Sequence, residues 1–296
     1  MKKIELTVSN ASNTEILGKA TLYLNPHLRF RDEAAVCVGH YECIDNESVA
    51  LDLLNKVADA AKQEGARWLI GPMNGSTWES YRFSLDNSHP IFLLEPYHPI
   101  YYNAQFLKAG FEVIGNYFSS LDTQIPFDQP EVLVLEQKFL SMGVRIRPID
   151  MSRFEAELTQ LYPLISDSFS HNFLYTPIEW PQFLDKYTQA AGFIKPEYVL
   201  LAEDAAGNTI GFIFAYEDLL NPANRHLVVK TVARKLERQW AGLGYVLANQ
   251  LIRNIQGKGF KGVIHAFMHE NASSKGLSQN FAGEVYKRYA LYGKRL

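Results

Sequence analysis

The sequence predicts an α/β protein built from a duplicated unit, and three observations carry that expectation. Segments with the two-residue alternation of strands are interleaved with segments of helical spacing. Both halves give the same order: early strands, a strand before a long helix, a short strand, a short helix and a closing strand. The chain of 296 residues is long for one ordinary domain and comfortable for two of about 150, each able to bury a core. The repeat is one of pattern, with little residue identity.

In the first half, Ile4–Val8 and Gly18–Leu24 read as strands around a polar turn, Asn10–Asn13, and Ala34–Cys43 as a third strand. Asp45-Asn46 supplies a cap. Val49, Leu53, Leu54, Val57, Ala60 and Ala61 then recur at helical spacing, so Ser48–Glu64 is a helix stopped by Gly65. Arg67–Ile70 is a short buried strand before a loop rich in turn formers, Gly71-Pro72-Met73-Asn74-Gly75-Ser76. Asn103–Ala109 is a short helix ended by Gly110, and Phe111–Leu121 is the closing strand. Residues 122–143, with Pro126, Pro130 and Gly143, read as the connection. The second half opens with Val144–Asp150, a strand running into a capped helix over Ser152–Tyr162. Tyr198–Glu203, the turn Asp204–Asn208 and Thr209–Tyr216 form a hairpin. Leu227–Arg234 is a strand, Gly242–Gln256 a helix, Gly262–Met268 a strand, Ser273–Asn280 a helix and Val285–Leu291 the last strand. Domains are therefore expected at 1–140 and 144–296.

Composition excludes several classes. With 47% hydrophobic and 21% charged residues the chain is a globular one rather than a disordered one. No apolar run approaches the roughly 18 residues that span a bilayer, so no membrane partner is expected. Met1-Lys2-Lys3-Ile4 passes straight into a strand pattern, with no signal-peptide apolar block, which predicts a cytoplasmic protein. The even spacing of Cys37 and Cys43 puts both on one face of one strand, too far apart to bond. They read as small buried residues. Only His265 and His269 have paired ligand spacing, and no metal is expected. Residues 1–143 carry 11 Lys and Arg against 18 Asp and Glu, a net of −7, whereas residues 144–296 carry 18 against 14, a net of +4. A polyphosphate ligand is drawn to the second half. No basic stripe with interleaved aromatics appears, which argues against nucleic acid.

Thr231–Tyr245 is where the chemistry concentrates. A strand ends in a short loop, and Gly242 and Gly244 open a helix whose next apolar residues are Val246, Leu247 and Leu251. Glycine lets backbone N–H groups approach a ligand closely. N–H groups at a helix start are unpaired, with the positive end of the helix dipole behind them. Such a start is a seat for a pyrophosphate.

Gln239-Trp240-Ala241-Gly242-Leu243-Gly244 resembles, without a gap, the Gln/Arg-x-x-Gly-x-Gly/Ala motif of the GCN5-related N-acetyltransferase (GNAT) family. Thr231-Val232-Ala233 is similar to the strand that pairs with the pantetheine arm of coenzyme A in that family. Gly262–Met268 is similar to its fifth strand, and Asn271-Ala272-Ser273-Ser274 to its Asn-x-x-Ala/Ser helix start. The resemblance covers residues 144–296. More faintly, Phe106–Glu112 resembles the family's closing Leu-x-Lys-x-Gly-Phe turn, but the long helix of that half starts at Asn46-Glu47-Ser48 without paired glycines. The resemblance implies two tandem GNAT-like domains, each a mixed, mostly antiparallel central sheet flanked by helices, with a degenerate first half that does not hold coenzyme A in the usual way. It implies acetyl-CoA as acyl donor, held by Val232, Ala233, Arg234, Gln239, Trp240, Ala241, Gly242, Leu243, Gly244, Tyr245, Asn271 and Ser274.

The same resemblance implies direct transfer, in which an amine attacks the thioester between the fourth and fifth strands. That chemistry needs a base for the ammonium and a donor for the thioester oxygen. The donor is a backbone N–H near Arg234. Candidate bases are Glu217, Asp218, His226 and His269, with Glu217 and His226 favoured as strand ends flanking the cleft. Where the family often has a tyrosine to protonate the leaving thiolate, seven residues after Asn271, this chain has Ser278, a poorer acid with less reach. The expected catalytic set is thus Glu217, His226, Asn271 and Ser278. Tyr286, Tyr289 and Tyr292 read as packing residues of the last strand. Gly71–Arg82, with Tyr97, His98, Tyr101 and Tyr102, makes either an acceptor-binding wall facing the second half or an exposed loop around a packed Trp78. The expected function is acyl-CoA-dependent transfer to the amine of a small-molecule or amino-acid-like acceptor. The alternative is a non-catalytic module of the same fold that binds coenzyme A or another ligand as a sensor. Ser278 favours the alternative, and the intact Gln239–Gly244 loop opposes it.

Overall fold

A computed structural model describes residues 1–270 and 283–296. The helix expected over Ser273–Asn280, and with it Asn271, Ser274 and Ser278, lies outside the described residues. The first half begins with β1 (Lys2–Ser9), β2 (Ile16–Leu24), a short β3 (Arg29–Phe30) and β4 (Glu33–Cys43), all paired antiparallel. Helix α1 (Glu47–Gln63) follows because Asn46 caps it, its side chain accepting the N–H of Val49 at 3.1 Å. Its buried residues, Ala50, Leu53, Leu54, Val57, Ala58 and Ala61, recur every third or fourth position and press on the sheet. Each such Leu contributes about 1.5–3 kcal/mol, and Leu53→Ala costs about 2–5 kcal/mol. The helix carries the chain over to β5 (Trp68–Gly71), parallel to β4. After β6 (Phe83–Ser84) and α2 (Tyr101–Lys108), β7 (Glu112–Asp122) closes the half.

Helix α3 (Pro130–Ser141) then leads into β8 (Arg145–Pro148), α4 (Phe154–Phe169) and α5 (Trp180–Ala190). An antiparallel run of β9 (Val199–Glu203), β10 (Thr209–Glu217) and β11 (His226–Arg234) is followed by α6 (Leu243–Ile255) and β12 (Gly262–His269), parallel to β11. The unit β11–α6–β12 repeats β4–α1–β5. The last strand is β13 (Glu284–Arg295).

The sheet runs in the order β1-β2-β4-β5-β13-β7-β12-β11-β10-β9-β8. Hence β13, the end of the second half, lies between β5 and β7 of the first, while β7 lies between β13 and β12. Each half lends its closing strand to the other, with β7 and β13 paired antiparallel at the middle of the sheet. The halves are tandem in sequence, but their sheets are one hydrogen-bonded surface. No helix among the described residues is long and apolar enough to cross a membrane.

Three local expectations change. Residues 122–143 hold the twelve-residue helix α3 rather than an irregular connection. Helix α5 had no counterpart in the sequence reading. The cysteines are on opposite faces of β4, Cys37 packing near Tyr23, Trp68 and Met73 and Cys43 near Leu53 and Val57. The reason is a β-bulge: Lys19 and Thr21 face Glu42 and Gly39, so β4 holds one extra residue and the alternation flips.

Candidate functional site

Strands β11 and β12 pair only from His226 opposite Gly262 to Val229 opposite His265. Beyond that point β12 stays with β7, through Met268 opposite Phe118, and β11 stays with β10, through Arg234 opposite Gly211. The two strands part at Lys230. A cavity of about 1010 Å3 opens there, lined by Lys230–Arg234 on one side and Ala266–Met268 on the other. The start of α6 lines one end of it through Gly242, Gly244 and Tyr245. The first half supplies the opposing wall, Thr77–Arg82 and Leu93–Pro96, and α4 and α5 add Phe169, Lys186 and Tyr187.

The α6 end is built for close approach. Gly242 has φ +94°, a conformation that L side chains rarely adopt, and a Cβ there would fall 2.9 Å from Leu135 Cδ1 of α3. No side chain caps the helix start. No Ser, Thr, Asn or Asp oxygen meets its first N–H groups, while the Tyr245 N–H donates to the Gly242 carbonyl at 3.0 Å. Trp240 and Leu243 are buried in the core beneath, Trp240 stacking on Phe139 at 6.4 Å. Gln239 and Ala241 are exposed, and the Gln239 carbonyl accepts a bond from Lys138 Nζ at 3.3 Å. Of the expected donor-site residues, Val232, Ala233, Arg234, Gly242, Gly244 and Tyr245 line the cavity; Gln239, Trp240, Ala241 and Leu243 do not.

The favoured bases lie elsewhere. Glu217 is held by Lys195 at 2.7 Å and Arg225 at 3.0 Å, and these hydrogen bonds keep its carboxyl below the usual range. His226 begins β11, at the paired end of the strand rather than the splayed end, and burial lowers its imidazole despite Asp218. Asp218 accepts the N–H of Leu93 at 2.9 Å and a bond from Asn221 at 2.7 Å, so it anchors the 91–95 loop. His269 packs against Tyr117 and Phe173. None of the four lines the cavity.

The first-half patch divides. Thr77–Arg82 faces the cavity, whereas His98, Tyr101 and Tyr102 turn into the first-half core around Phe83 and Cys43, and Tyr97 is exposed. Trp78 donates to the Thr176 carbonyl at 2.9 Å, and Glu79 pairs with Lys186 at 2.9 Å, so this wall is fastened to the second half. The loop at Leu93–Pro96 is fixed by a buried ion pair, Lys287 Nζ to Glu95 Oε1 at 3.0 Å, and by the Tyr216 hydroxyl on the Leu93 carbonyl at 2.8 Å. Tyr289 and Tyr292 of β13 are buried and bonded to Ser119 and Asn103, a packing role.

Sequence reasoning passed over Lys230. Between Phe214–Thr231 and Ala215–Val229 it is the extra residue of a β-bulge, which re-aims its side chain. Its ammonium lies 4.7 Å from the centre of the Phe267 ring. Burial, then Arg82 and Lys186, lower its amine from 10.5 to about 7. A lysine inside the apolar run Leu227-Val228-Val229-Lys230-Thr231-Val232 was the available signal. Among the described residues no group of three or more His, Cys, Asp or Glu side chains is placed to hold a metal ion.

No protein-family profile and no curated protein matches the chain. Solved structures do. A GCN5-related glucosamine N-acetyltransferase region of a fungal multi-domain GH3 β-N-acetylglucosaminidase aligns over 98% of this chain with a TM-score of 0.59 and 10% identity; the chain spans 33% of that protein. A GCN5-related N-acetyltransferase from Sphaerobacter thermophilus aligns over 98% of this chain and 80% of its own, at TM-score 0.56 and 13% identity. These similarities show the fold, that of the GCN5-related N-acetyltransferases. The arrangement is the tandem one: a tandem GNAT protein from the clavulanic acid biosynthesis pathway aligns over 99% of this chain and 83% of its own, at TM-score 0.53 and 11% identity.

Proposed function

We propose that the chain is an acyl-CoA-dependent N-acyltransferase, with acetyl-CoA as donor and a small amine as acceptor. The supporting observation is one continuous cavity that joins a glycine-opened helix start without a side-chain cap to the splayed edge of β11 and on to a first-half wall. The donor's pyrophosphate rests on the backbone of Gly242–Gly244, where the dipole of α6 favours anions. Its pantetheine arm takes the unpaired edge of Val232–Arg234. The acceptor enters against Thr77–Arg82. Donor binding belongs to the second half, since the start of α1 is already capped by Asn46. The two free, buried cysteines fit the cytoplasmic setting expected from the sequence.

The acceptor's neutral amine attacks the thioester carbonyl carbon; the C–N bond forms and the C–S bond breaks. Of the two protons that the ammonium gives up overall, one ends on the departing thiolate and one in solvent. The positive surroundings made by Arg82 and Lys230 favour the neutral amine, so its first proton is shed to water without Glu217 or His226. Thiol release from acetyl-CoA, followed colorimetrically across a panel of amines, tests this reading. Turnover with at least one amine, lost in Gly244→Val, is expected. Acetyl-CoA binding without turnover on any amine would favour the sensor reading, to which the distance of Glu217 and His226 from the cavity lends weight.

A further inference from the structure

The acceptor side of the cavity carries two cations that the protein leaves unneutralised. The guanidinium of Arg82 is buried, yet its bonds go only to carbonyls: Nε to Tyr81 at 3.1 Å and Nη1 to Phe267 at 3.4 Å. It is boxed between the rings of Tyr81, Tyr117 and Phe267 at 3.8, 4.5 and 4.5 Å. Residue 82 also adopts φ +72°, a strained conformation for a non-glycine residue. Lys230 meets the same Phe267 ring. No carboxylate among the described residues pairs with either cation, and residues 271–282 contain no Asp or Glu. The cavity's own acids are already engaged, Glu79 with Lys186 and Glu95 with Lys287. Burying unpaired charge is costly, and a structure that keeps two such groups facing one space is complementary to an anion.

We propose that Arg82 and Lys230 form an anion-binding subsite of the acceptor pocket, so that the acceptor is an amine bearing a carboxylate or a phosphate. This rests on the acyltransferase reading only for the word acceptor; the subsite itself stands on the two cations. Arg82, on the first half, gives that half a role in recognition. Lys230, re-aimed by the bulge at the splay point, sets the anion beside the strand edge assigned to the donor. A carboxylate or phosphate bound there neutralises part of the charge and leaves the acceptor's amine directed along β11.

The test uses the full chain and four proteins: wild type, Arg82→Gln, Lys230→Met and Gly244→Val. Succinate, inorganic phosphate and neutral succinamide are titrated into each by calorimetry at pH 6.5, and acetyl-CoA in parallel. The wild type is expected to bind succinate or phosphate and not succinamide, and the tighter of the two anions names the acceptor's group. Arg82→Gln and Lys230→Met should each weaken that anion by about tenfold or more, the loss of a charge-assisted bond. Gly244→Val should leave succinate binding unchanged, and any phosphate binding it removes belongs to the start of α6. Near-UV circular dichroism checks each variant, and Lys230→Met carries the test by itself should Arg82→Gln not fold. Equal binding of succinamide, no anion binding by the wild type, or anion loss in Gly244→Val with retention in the other two would overturn the proposal. So would a weakening of acetyl-CoA by Lys230→Met as large as that of the anion, which would put the cation in the donor site. Failure of acetyl-CoA to bind the wild type, with anion binding intact and sensitive to Arg82 and Lys230, would refute the donor reading and uphold the subsite.

Discussion

Replacing Lys230 by Met removes a charge that the fold holds against its own solvation, and the stability change has a defined sign and pH window. Burial, Arg82 and Lys186 lower the amine from 10.5 to about 7. Between those two values the unfolded chain binds a proton that the folded chain does not, so wild-type stability rises with pH across the window. Below about 7 both states are protonated and the full penalty applies. At about 1.4 kcal/mol per pH unit the fall sets a ceiling of roughly 5 kcal/mol. Water in the open cavity screens much of it, leaving on the order of 2 kcal/mol. Met is an uncharged side chain of similar length that can still reach the Phe267 ring. Urea unfolding at pH 6.5 should therefore show Lys230→Met more stable than wild type by about 2 kcal/mol, with Tm higher by roughly 4 °C. The difference should shrink steadily above pH 7, where the folded lysine is neutral, and vanish only above about 10.5, where the unfolded lysine also loses its proton. A variant less stable at pH 6.5, or a difference independent of pH, would refute the claim that Lys230 is an unpaired cation.

Other outcomes follow from the same geometry. Lys287→Ala leaves Glu95 buried without its partner and should cost about 3–5 kcal/mol by urea denaturation, while replacing both residues by Met should restore most of it; a cost below about 1 kcal/mol would show the pair to be solvated. Gly242→Ala forces a left-handed residue into contact with Leu135 and should destabilise by about 1–3 kcal/mol, a loss partly relieved by adding Leu135→Ala; a Tm equal to wild type would contradict it. The fragment 1–142 lacks β13 and so exposes the facing edges of β5 and β7; it should elute as aggregate, and co-expression with 143–296 should yield a one-to-one complex. A monodisperse fragment with a cooperative melt would show that the exchanged strand is dispensable.

The duplicated α/β plan was legible because its strongest signals are local. Asn46, the spacing of Leu53, Leu54 and Val57, and Gly65 specify α1 within twenty residues, and α6 announces itself in the same way after Gly242. Helix α3 was hidden by the proline that opens it: Pro130 reads as a breaker, but at the first helical position its missing N–H costs nothing. The cysteine faces were misread because one bulge residue reverses the alternation on which the reading depended. The exchange of β7 and β13 had no local signal, since pairing partners are set by the whole sheet. In the site, the glycine-opened start of α6 was legible because Gln239–Gly244 matches a whole motif, the two glycines by themselves being a weak signal. Arg82 and Lys230 come together only through the splay of β11 and the first-half wall. Glu217 and His226 were chosen as strand ends, but β11 enters the sheet at His226 and opens onto the cavity at its other end.

The central claim is that the start of α6 seats an acyl-CoA, and calorimetric titration of acetyl-CoA into the full chain and into Gly244→Val tests it most directly. One site per chain is predicted for the wild type, with affinity reduced by at least about tenfold in the variant while Tm and near-UV circular dichroism stay the same. Equal affinity in the two proteins, or no binding by the wild type, would contradict the account.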